Sequence, residues 1–353
     1  MRIGTAEARR GGVSKGYVDL VSFPTGGTEK APVMIAQGEG DGPTLWLTAN
    51  LHGNEVAGIP VVHRIVTEEI AERIHGAVVG VVTLNPSGLR SAERTSHYDS
   101  RDPNRLFPDF RGDGVTHSTQ ELINEKMFGH IERTADALID LHCSNIGSVP
   151  FSIRDRVLVK PGEKDAPEIR ELTEMRDAVV DAFGFTPVNG SGAERTVEEN
   201  LHRSLSGACV NKARVPAFTA ELGSDYIVES EVVDAAVVGV RNVMRELGML
   251  DGEYEEVPNV ADVPHEFPTL RTSLSSPVSG LLRKRVEPGE LVREGEAVAE
   301  VTDSFGETKH VVEAPRDGWV TSFQLGMGVE EGSLVCYYAE RAEEDELVDT
   351  YEQ

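Results

Sequence analysis

Apolar runs alternate with amphipathic stretches between residues 31 and 250. The apolar runs predict strands at 44–49, 77–84, 137–141, 149–153 and 215–220. Between them, apolar residues recur every three or four positions, which predicts helices at 57–74, 119–135, 166–183 and 229–247. Strands that alternate with helices are typical of a mostly parallel sheet covered by helices on both faces. The pattern therefore predicts an α/β fold, preceded by a Gly-rich segment with one short strand at 17–23.

The last part of the chain has a different pattern. Residues 251–270 combine acidic residues with prolines and predict a connector between two domains, the first of which spans residues 1–250. Beyond the connector, a Gly-punctuated segment at 276–295 recurs weakly at 314–332, which predicts a small all-β module over residues 271–340. The acidic residues 341–353 predict a frayed tail.

The half-repeat resembles the biotinyl/lipoyl carrier domains, which present a modifiable lysine on a hairpin between the two halves. Here the segment between the halves spans residues 302–308, and Lys309 lies too close to the second half to match that position. We therefore favour a β module without a prosthetic group over a carrier.

Composition narrows the class of protein. The 353 residues are enough for two domains, and we find no apolar run of transmembrane length, so we expect a soluble cytoplasmic protein with no membrane partner. The formal net charge is −26, and the basic residues are 8 Lys and 26 Arg. This acidic excess favours adaptation to high salt over an ordinary acidic protein. It also argues against a nucleic-acid partner, because phosphate binding requires a basic face.

The sequence His52-Gly53-Asn54-Glu55 directly follows the strand predicted at 44–49. Glycine and asparagine suit a tight turn because both tolerate positive φ. An isolated His-x-x-Glu pair is more often a surface salt bridge or a cap than a pair of metal ligands. Its position between a strand and a helix favours the ligand interpretation, since α/β sheets place active sites there.

A second apolar run ends at His142, so two histidines and one glutamate emerge from strand ends. Three protein ligands with one open position are typical of catalytic zinc sites. Three widely spaced cysteines argue against a disulfide framework and a cysteine-based zinc site. Cys143 follows His142 directly, and neighbouring strand residues point to opposite faces, so we expect it to be buried filler.

Two further features carry candidate chemistry. Glu221 follows the strand predicted at 215–220, where a carboxylate could accept and return a proton, or merely cap a helix or form a salt bridge. Residues 85–108 predict a long loop rich in arginine, whose guanidinium groups suit a substrate carboxylate or a developing oxyanion. The alternative interpretation of this loop is an ordinary solvated surface segment. A second segment, residues 189–203 with Arg195 and Arg203, is either a specificity loop or ordinary surface.

Five motifs in order, HGNE, NPSG, R…DPNRLFP, DLHCS and AELG, resemble those of the succinylglutamate desuccinylase/aspartoacylase family, which is related to the zinc carboxypeptidases. The resemblance covers residues 31–250, and members also carry a trailing β module. It implies a zinc-carboxypeptidase-like fold that binds one zinc ion per chain through His52, Glu55 and His142.

The resemblance also implies roles for the remaining motif residues. Glu221 corresponds to the general base and acid, Arg94 to the arginine that stabilises the oxyanion, and Asn104 with Arg105 to the pair that binds a substrate carboxylate. The chain departs from the usual spacing before Asn104, which leaves the oxyanion role open between Arg94 and Arg101.

The expected activity is zinc-dependent hydrolysis of the amide bond in an N-acyl amino acid or a similar small N-acyl amine that bears a carboxylate. The alternatives are a metallocarboxypeptidase acting on peptide C-termini, which would need a groove, and a non-catalytic binding or carrier protein. The sequence identifies neither the acyl group nor the amine, and it leaves the oligomeric state open, a homo-oligomer included.

Overall fold

A computed structural model describes residues 1–112, 118–160, 162–163, 166–261, 263–264 and 266–343. The first ten strands are β1 Arg2–Ile3, β2 Ala6–Glu7, β3 Gly12–Ser22, β4 Thr28–Gln37, β5 Gly40–Ala49, β6 His75–Val81, β7 Ala137–Ser144, β8 Phe151–Arg154, β9 Pro187–Asn189 and β10 Ala217–Ser224. The others are β11 Thr269–Ser275, β12 Gly280–Lys284, β13 Leu291–Val292, β14 Ala297–Thr302, β15 Thr308–Glu313, β16 Gly318–Phe323, β17 Gly328–Val329 and β18 Leu334–Arg341.

The α-helices are α1 Gly58–Ile65, α2 Glu68–Ala71, α3 Pro86–Ser91, α4 Thr119–Thr134, α5 Pro167–Phe183, α6 Ala193–Glu198, α7 Leu205–Ala208 and α8 Ser230–Glu246. The helix predicted at 57–74 is two helices, because Val66 leaves helical geometry and Thr67 begins α2 by accepting a hydrogen bond from Ile70 N. Among the described residues, no helix is both long and apolar enough to cross a membrane.

A twelve-stranded sheet organises the chain, in the order β13-β16-β18-β11-β9-β8-β10-β7-β5-β6-β4-β3. Strands β6, β5, β7 and β10 run parallel to one another, but β8 is antiparallel to β10 and β4 is antiparallel to β6. Antiparallel pairs also join β3 to β4 and the C-terminal strands to one another. Strands β8, β9 and β11 form a second parallel group. The fold is therefore mixed α/β, and the prediction of a mostly parallel sheet is not confirmed.

Helices cover both faces of the sheet, as predicted. On β5, Leu45 and Leu47 join the core formed with α1, α5 and α8, whereas Trp46 joins the core formed with α4 and α7 on the other face. On β7, Ile139 and Leu141 face the first core. Their alternation leaves His142 on the opposite face, and this is where the candidate site lies.

The C-terminal strands belong to two sheets. Strands β15, β14, β12 and β17 form a separate four-stranded sheet. Strands β11, β18, β16 and β13 instead extend the large sheet, because β11 pairs in parallel with β9 through Leu270 and Asn189. From residue 344 onward, the predicted acidic tail lies outside the described residues.

Candidate active site

The turn that carries the first two candidate ligands is shaped by Asn50. Its φ is +56°, and its Nδ2 donates to the carbonyl oxygens of His52, Gly53 and Glu55 at 3.1, 3.1 and 2.9 Å. The expectation that Gly53 and Asn54 supply the positive φ is wrong. Gly53 is required for another reason, since a Cβ there would lie 2.0 Å from the carbonyl carbon of Gly88 at the start of α3.

His52, Glu55 and His142 converge. Each offers one donor atom, and the three atoms lie within 4.8 Å of one another in a buried position. Glu55 Oε1 is 2.7 Å from His52 Nδ1, and Glu55 Oε2 is 2.7 Å from His142 Nδ1. The structure thus brings together three side chains that lie on β7 and on the turn after β5.

The ring nitrogens that face away from this cluster are held by carboxylates. Asp102 Oδ1 is 2.9 Å from His52 Nε2, and Asp140 Oδ2 is 2.8 Å from His142 Nε2. Metal-binding histidines usually donate their second nitrogen in this way, which fixes the tautomer and the ring orientation. Two imidazole nitrogens and a carboxylate also form a donor set that zinc accepts, so these residues fit the ion implied by the resemblance.

The two buried glutamates near the cluster have opposite pKa shifts. Burial would raise the pKa of Glu55, but His52 and His142 outweigh it and hold that pKa well below the usual value. Burial, followed by the charge of Glu55, raises the pKa of Glu221. Glu221 lies beside His142 in the register of β10 and β7, and no described residue donates a hydrogen bond to its buried Oε2. The lowered pKa of Glu55 suits a metal ligand, and the raised pKa of Glu221 suits a proton acceptor.

Two arginines compete for the oxyanion role, and the structure separates them. Arg94 Nη1 lies 3.0 Å from Glu55 Oε1, and its Nη2 lies 2.9 Å from Asp102 Oδ2. Arg101 pairs instead with Asp99 at 2.7 Å and with Glu121 at 3.4 Å. Arg94 therefore borders the cluster, whereas Arg101 is engaged elsewhere on the protein.

Asn104 and Arg105 also line the site cavity. Asn104 Oδ1 accepts from Leu205 N at 2.8 Å, and its Nδ2 lies 3.5 Å from His142 Nε2. Arg105 Nη1 donates to the Asn104 carbonyl oxygen at 2.7 Å. Within the part of the chain that the structure describes, Arg105 forms no salt bridge, which leaves guanidinium donors for a substrate carboxylate.

These side chains open into one cavity of about 100 Å³, which is small for a ligand site. Its far wall includes Arg271 from β11 and Tyr337 from β18, with the Arg271 guanidinium 5.1 Å from the centre of the Tyr337 ring. The C-terminal strands thus contribute to the cavity itself. Asp155, which follows β8, lines it as well.

Other residues that the sequence singled out lie elsewhere. Arg195 pairs with Glu199 at 2.7 Å, and Arg203 Nε donates to the Phe107 carbonyl oxygen at 2.8 Å. The segment between them nevertheless lines the cavity, through Thr196 and Leu201. Cysteines Cys143, Cys209 and Cys336 are free and buried, and Cys143 is the one whose burial was expected.

Sequence reasoning missed several residues of the site. A signal existed for Asp140, because strand residues two apart share a face and Asp140 precedes His142 by two. Asp102 lies within the DPNR motif without having been assigned a role. Asp155, Arg271 and Tyr337 carry no local signal, since pairing between distant strands brings them to the cavity.

Comparison with known proteins tests the family resemblance. Residues 41–161 match the family model of the succinylglutamate desuccinylase/aspartoacylase catalytic domain. The chain is 27% identical to the N-alpha-acetyl-L-2,4-diaminobutyric acid deacetylase of Halomonas elongata, over 96% of this chain and 95% of that protein. The family resemblance is confirmed.

Solved structures with this fold include members of the succinylglutamate desuccinylase/aspartoacylase family. One from Rhodobacter sphaeroides has a TM-score of 0.73 at 23% identity, covering 94% of this chain and 96% of that one. The product-bound ectoine utilization protein of Ruegeria pomeroyi has a TM-score of 0.74 at 22% identity, covering 96% of this chain and 100% of that one. The similarity therefore extends through the C-terminal strands.

Proposed function

We propose that the protein is a zinc-dependent deacylase that hydrolyses the amide bond of a small N-acyl amino acid. The observation that carries this proposal is the opening of the His52, Glu55 and His142 cluster into the same small cavity as an unpartnered glutamate and several arginines. The Halomonas elongata relative is named as a deacetylase of an N-acetylated amino acid, which supports the same reaction class.

His52, Glu55 and His142 would hold the zinc ion, with Asp102 and Asp140 fixing the two imidazole rings. When bound, the ion would supply Lewis acidity and lower the pKa of a coordinated water. We infer zinc from the donor set and from the family resemblance, and metal analysis of the purified protein tests that identity directly.

The other side chains act on the substrate. Glu221 accepts the proton of the attacking water and passes it to the departing amine, a role suited to a buried carboxyl with a raised pKa. Arg94 donates to the carbonyl oxygen as that oxygen becomes negative. Arg105, positioned through Asn104, binds the substrate carboxylate in the bidentate manner typical of guanidinium groups.

The size of the cavity favours a deacylase over a carboxypeptidase. A peptide needs a groove, whereas this cavity of about 100 Å³ is walled on one side by Arg271 and Tyr337. The carrier alternative predicts a mass increment on Lys309. In the structure, the Lys309 amine donates to the carbonyl oxygen of Ser279, and intact-mass measurement would detect any modification.

The proposal is tested by assaying the zinc-loaded and chelator-treated protein on N-acetyl, N-succinyl and N-formyl amino acids. Assays at both low and molar salt also test the proposed adaptation to high salt. We expect turnover that requires the metal. His142→Ala should lose both zinc and turnover, whereas Glu221→Gln should keep zinc and lose turnover. Full activity in the zinc-free His142→Ala variant would refute the assignment of the ligands.

A further inference from the structure

Asp155 is a charged group in the cavity wall that the proposed reaction does not use. It follows β8, which lies beside β10 and therefore one strand beyond Glu221. The Asp155 Oδ2 atom is buried and accepts no hydrogen bond from a described residue. Burial raises the pKa of its carboxyl to about 6. A buried carboxylate oxygen without a donor is costly, and such groups in native proteins usually have a partner.

The groups that face Asp155 do not supply that donor. Ser206 lowers the pKa of Asp155 through a hydrogen bond, Arg176 and Arg271 lower it through their charge, and Asp140 raises it. Arg176 Nη1 donates to the backbone carbonyl oxygen of Asp155 at 2.6 Å, and its Nε donates to Asp177 at 2.9 Å. The Oδ2 atom thus stays open to a donor that enters the cavity.

The position of Asp155 sets what that donor can be. Its strand is two strands away from the strand of His142, which corresponds to roughly 10 Å across the sheet. In the antiparallel register of β8 and β10, Ile153 pairs with Thr219, so Asp155 is also displaced along the strands from Glu221 and His142. His142, Arg105 and Asp155 nevertheless line the same cavity, so a small amino acid with its amide bond at the metal cluster and its carboxylate at Arg105 can extend its side chain through that cavity towards Asp155. Because the Asp155 carboxylate is a buried anion, the end of the substrate side chain that pairs with it should be a cation.

Resting on the proposed deacylase activity, we propose that Asp155 binds a protonated second amino group of the substrate, so that the substrate is an N-acyl diamino acid. A protonated amine offers three N–H donors and one positive charge, which complete the unpartnered oxygen. The name of the Halomonas elongata relative, a deacetylase of an N-acetylated diaminobutyric acid, is consistent with this substrate class.

The test compares two substrates that differ in one group. Nα-acetyl-2,4-diaminobutyrate carries the amine, and N-acetylnorvaline carries a methyl group in its place. We expect the zinc-loaded protein to prefer the diamino substrate by about ten- to hundredfold in kcat/KM. Asp155→Asn should bring that ratio close to one while zinc content stays the same. A ratio near one in the unaltered protein, or an unchanged ratio in Asp155→Asn, would overturn the proposal.

Asp225 provides a matched control. It also lines the cavity and has one unpartnered oxygen, but its Oδ2 accepts from Asn54 Nδ2 at 2.8 Å. Asp225→Asn should retain the preference for the diamino substrate. Loss of the preference in Asp225→Asn but not in Asp155→Asn would assign the amine to Asp225 and reject our inference.

A failure of the deacylase proposal is distinguishable from a failure of this one. If the zinc-loaded protein hydrolyses neither substrate, calorimetry with free 2,4-diaminobutyrate and norvaline still measures recognition of the amine. Tighter binding of diaminobutyrate that Asp155→Asn abolishes supports the binding role even then. Equal binding of the two compounds rejects it. Asp155→Ala is the second variant if Asp155→Asn does not fold.

Discussion

Replacing Asp155 by asparagine should stabilise the ligand-free protein at neutral and alkaline pH. The carboxyl has an ordinary pKa of 3.8, which burial raises to about 6 in the folded protein. A group whose pKa is raised by folding favours the folded state at low pH, and that contribution is lost as pH rises through the folded value. Above pH 6 the protein therefore holds an ionised carboxylate at a cost in stability.

The size of this cost in stability follows from the rise in the pKa of Asp155. A rise of about two units, at about 1.4 kcal/mol per unit, gives a cost of about 3 kcal/mol once the carboxyl is ionised in both states. Asparagine has nearly the same shape and no charge, so Asp155→Asn removes this cost. The stability difference between variant and unaltered protein should therefore grow between pH 4 and 7 and then level off.

Urea unfolding of both proteins at several pH values measures this difference. A matched control is Asp181→Asn, since Asp181 contacts Arg154 at 2.9 Å and its side chain is 66% exposed. That change removes a surface ion pair and should destabilise the protein by about 1 kcal/mol or less. If Asp155→Asn is no more stable than the unaltered protein at pH 8, then the carboxylate already has a compensating partner and our reasoning is wrong.

Three further predictions concern the site and the core. Asp140→Asn should weaken zinc affinity by about 10- to 100-fold, measured by chelator competition, because Asp140 orients His142; unchanged affinity would contradict that role. Arg94→Ala should lower kcat by about 10²–10³, whereas Arg101→Ala should leave it unaltered, and the reverse pattern would exchange their roles. Phe218→Ala should cost about 3–5 kcal/mol in urea unfolding, because the ring is fully buried, and a cost below about 1 kcal/mol would mean that the core repacks.

The central strands and the metal cluster could be predicted because their signals are local. A buried strand is an apolar run, and a ligand at its end is a polar residue that interrupts the run, as at His142 and Glu221. Strand β4 was not among the predicted strands. Its apolar residues surround Pro32, and proline within a run argues against a strand inside a sheet. Here Pro32 lies outside the register of β4 with β6, which begins at Val33, so no ladder bond to β6 requires the N–H that proline lacks.

The direction of β8 and the far wall of the cavity could not be predicted. Strand β8 turns back antiparallel to β10, and no residue within it signals its direction. Arg271 and Tyr337 reach the cavity through pairing of β11 with β9 and with β18, which joins residues far apart in sequence. Such contacts depend on the whole topology, so the sequence alone does not distinguish a charged cavity residue on a distant strand from an ordinary surface residue.

The extension of the large sheet by β11 and β18 has an evolutionary consequence. In the proposed function, the cluster that would hold the metal and the part of the cavity wall formed by Arg271 and Tyr337 lie on strands separated by much of the chain. Exchange of Arg271 or Tyr337 can therefore change which molecule is admitted without disturbing a strand that carries His142 or Glu221. Selection for a different substrate can act on these late positions, in addition to Arg105 and Asp155, while the residues proposed to hold the metal are inherited intact.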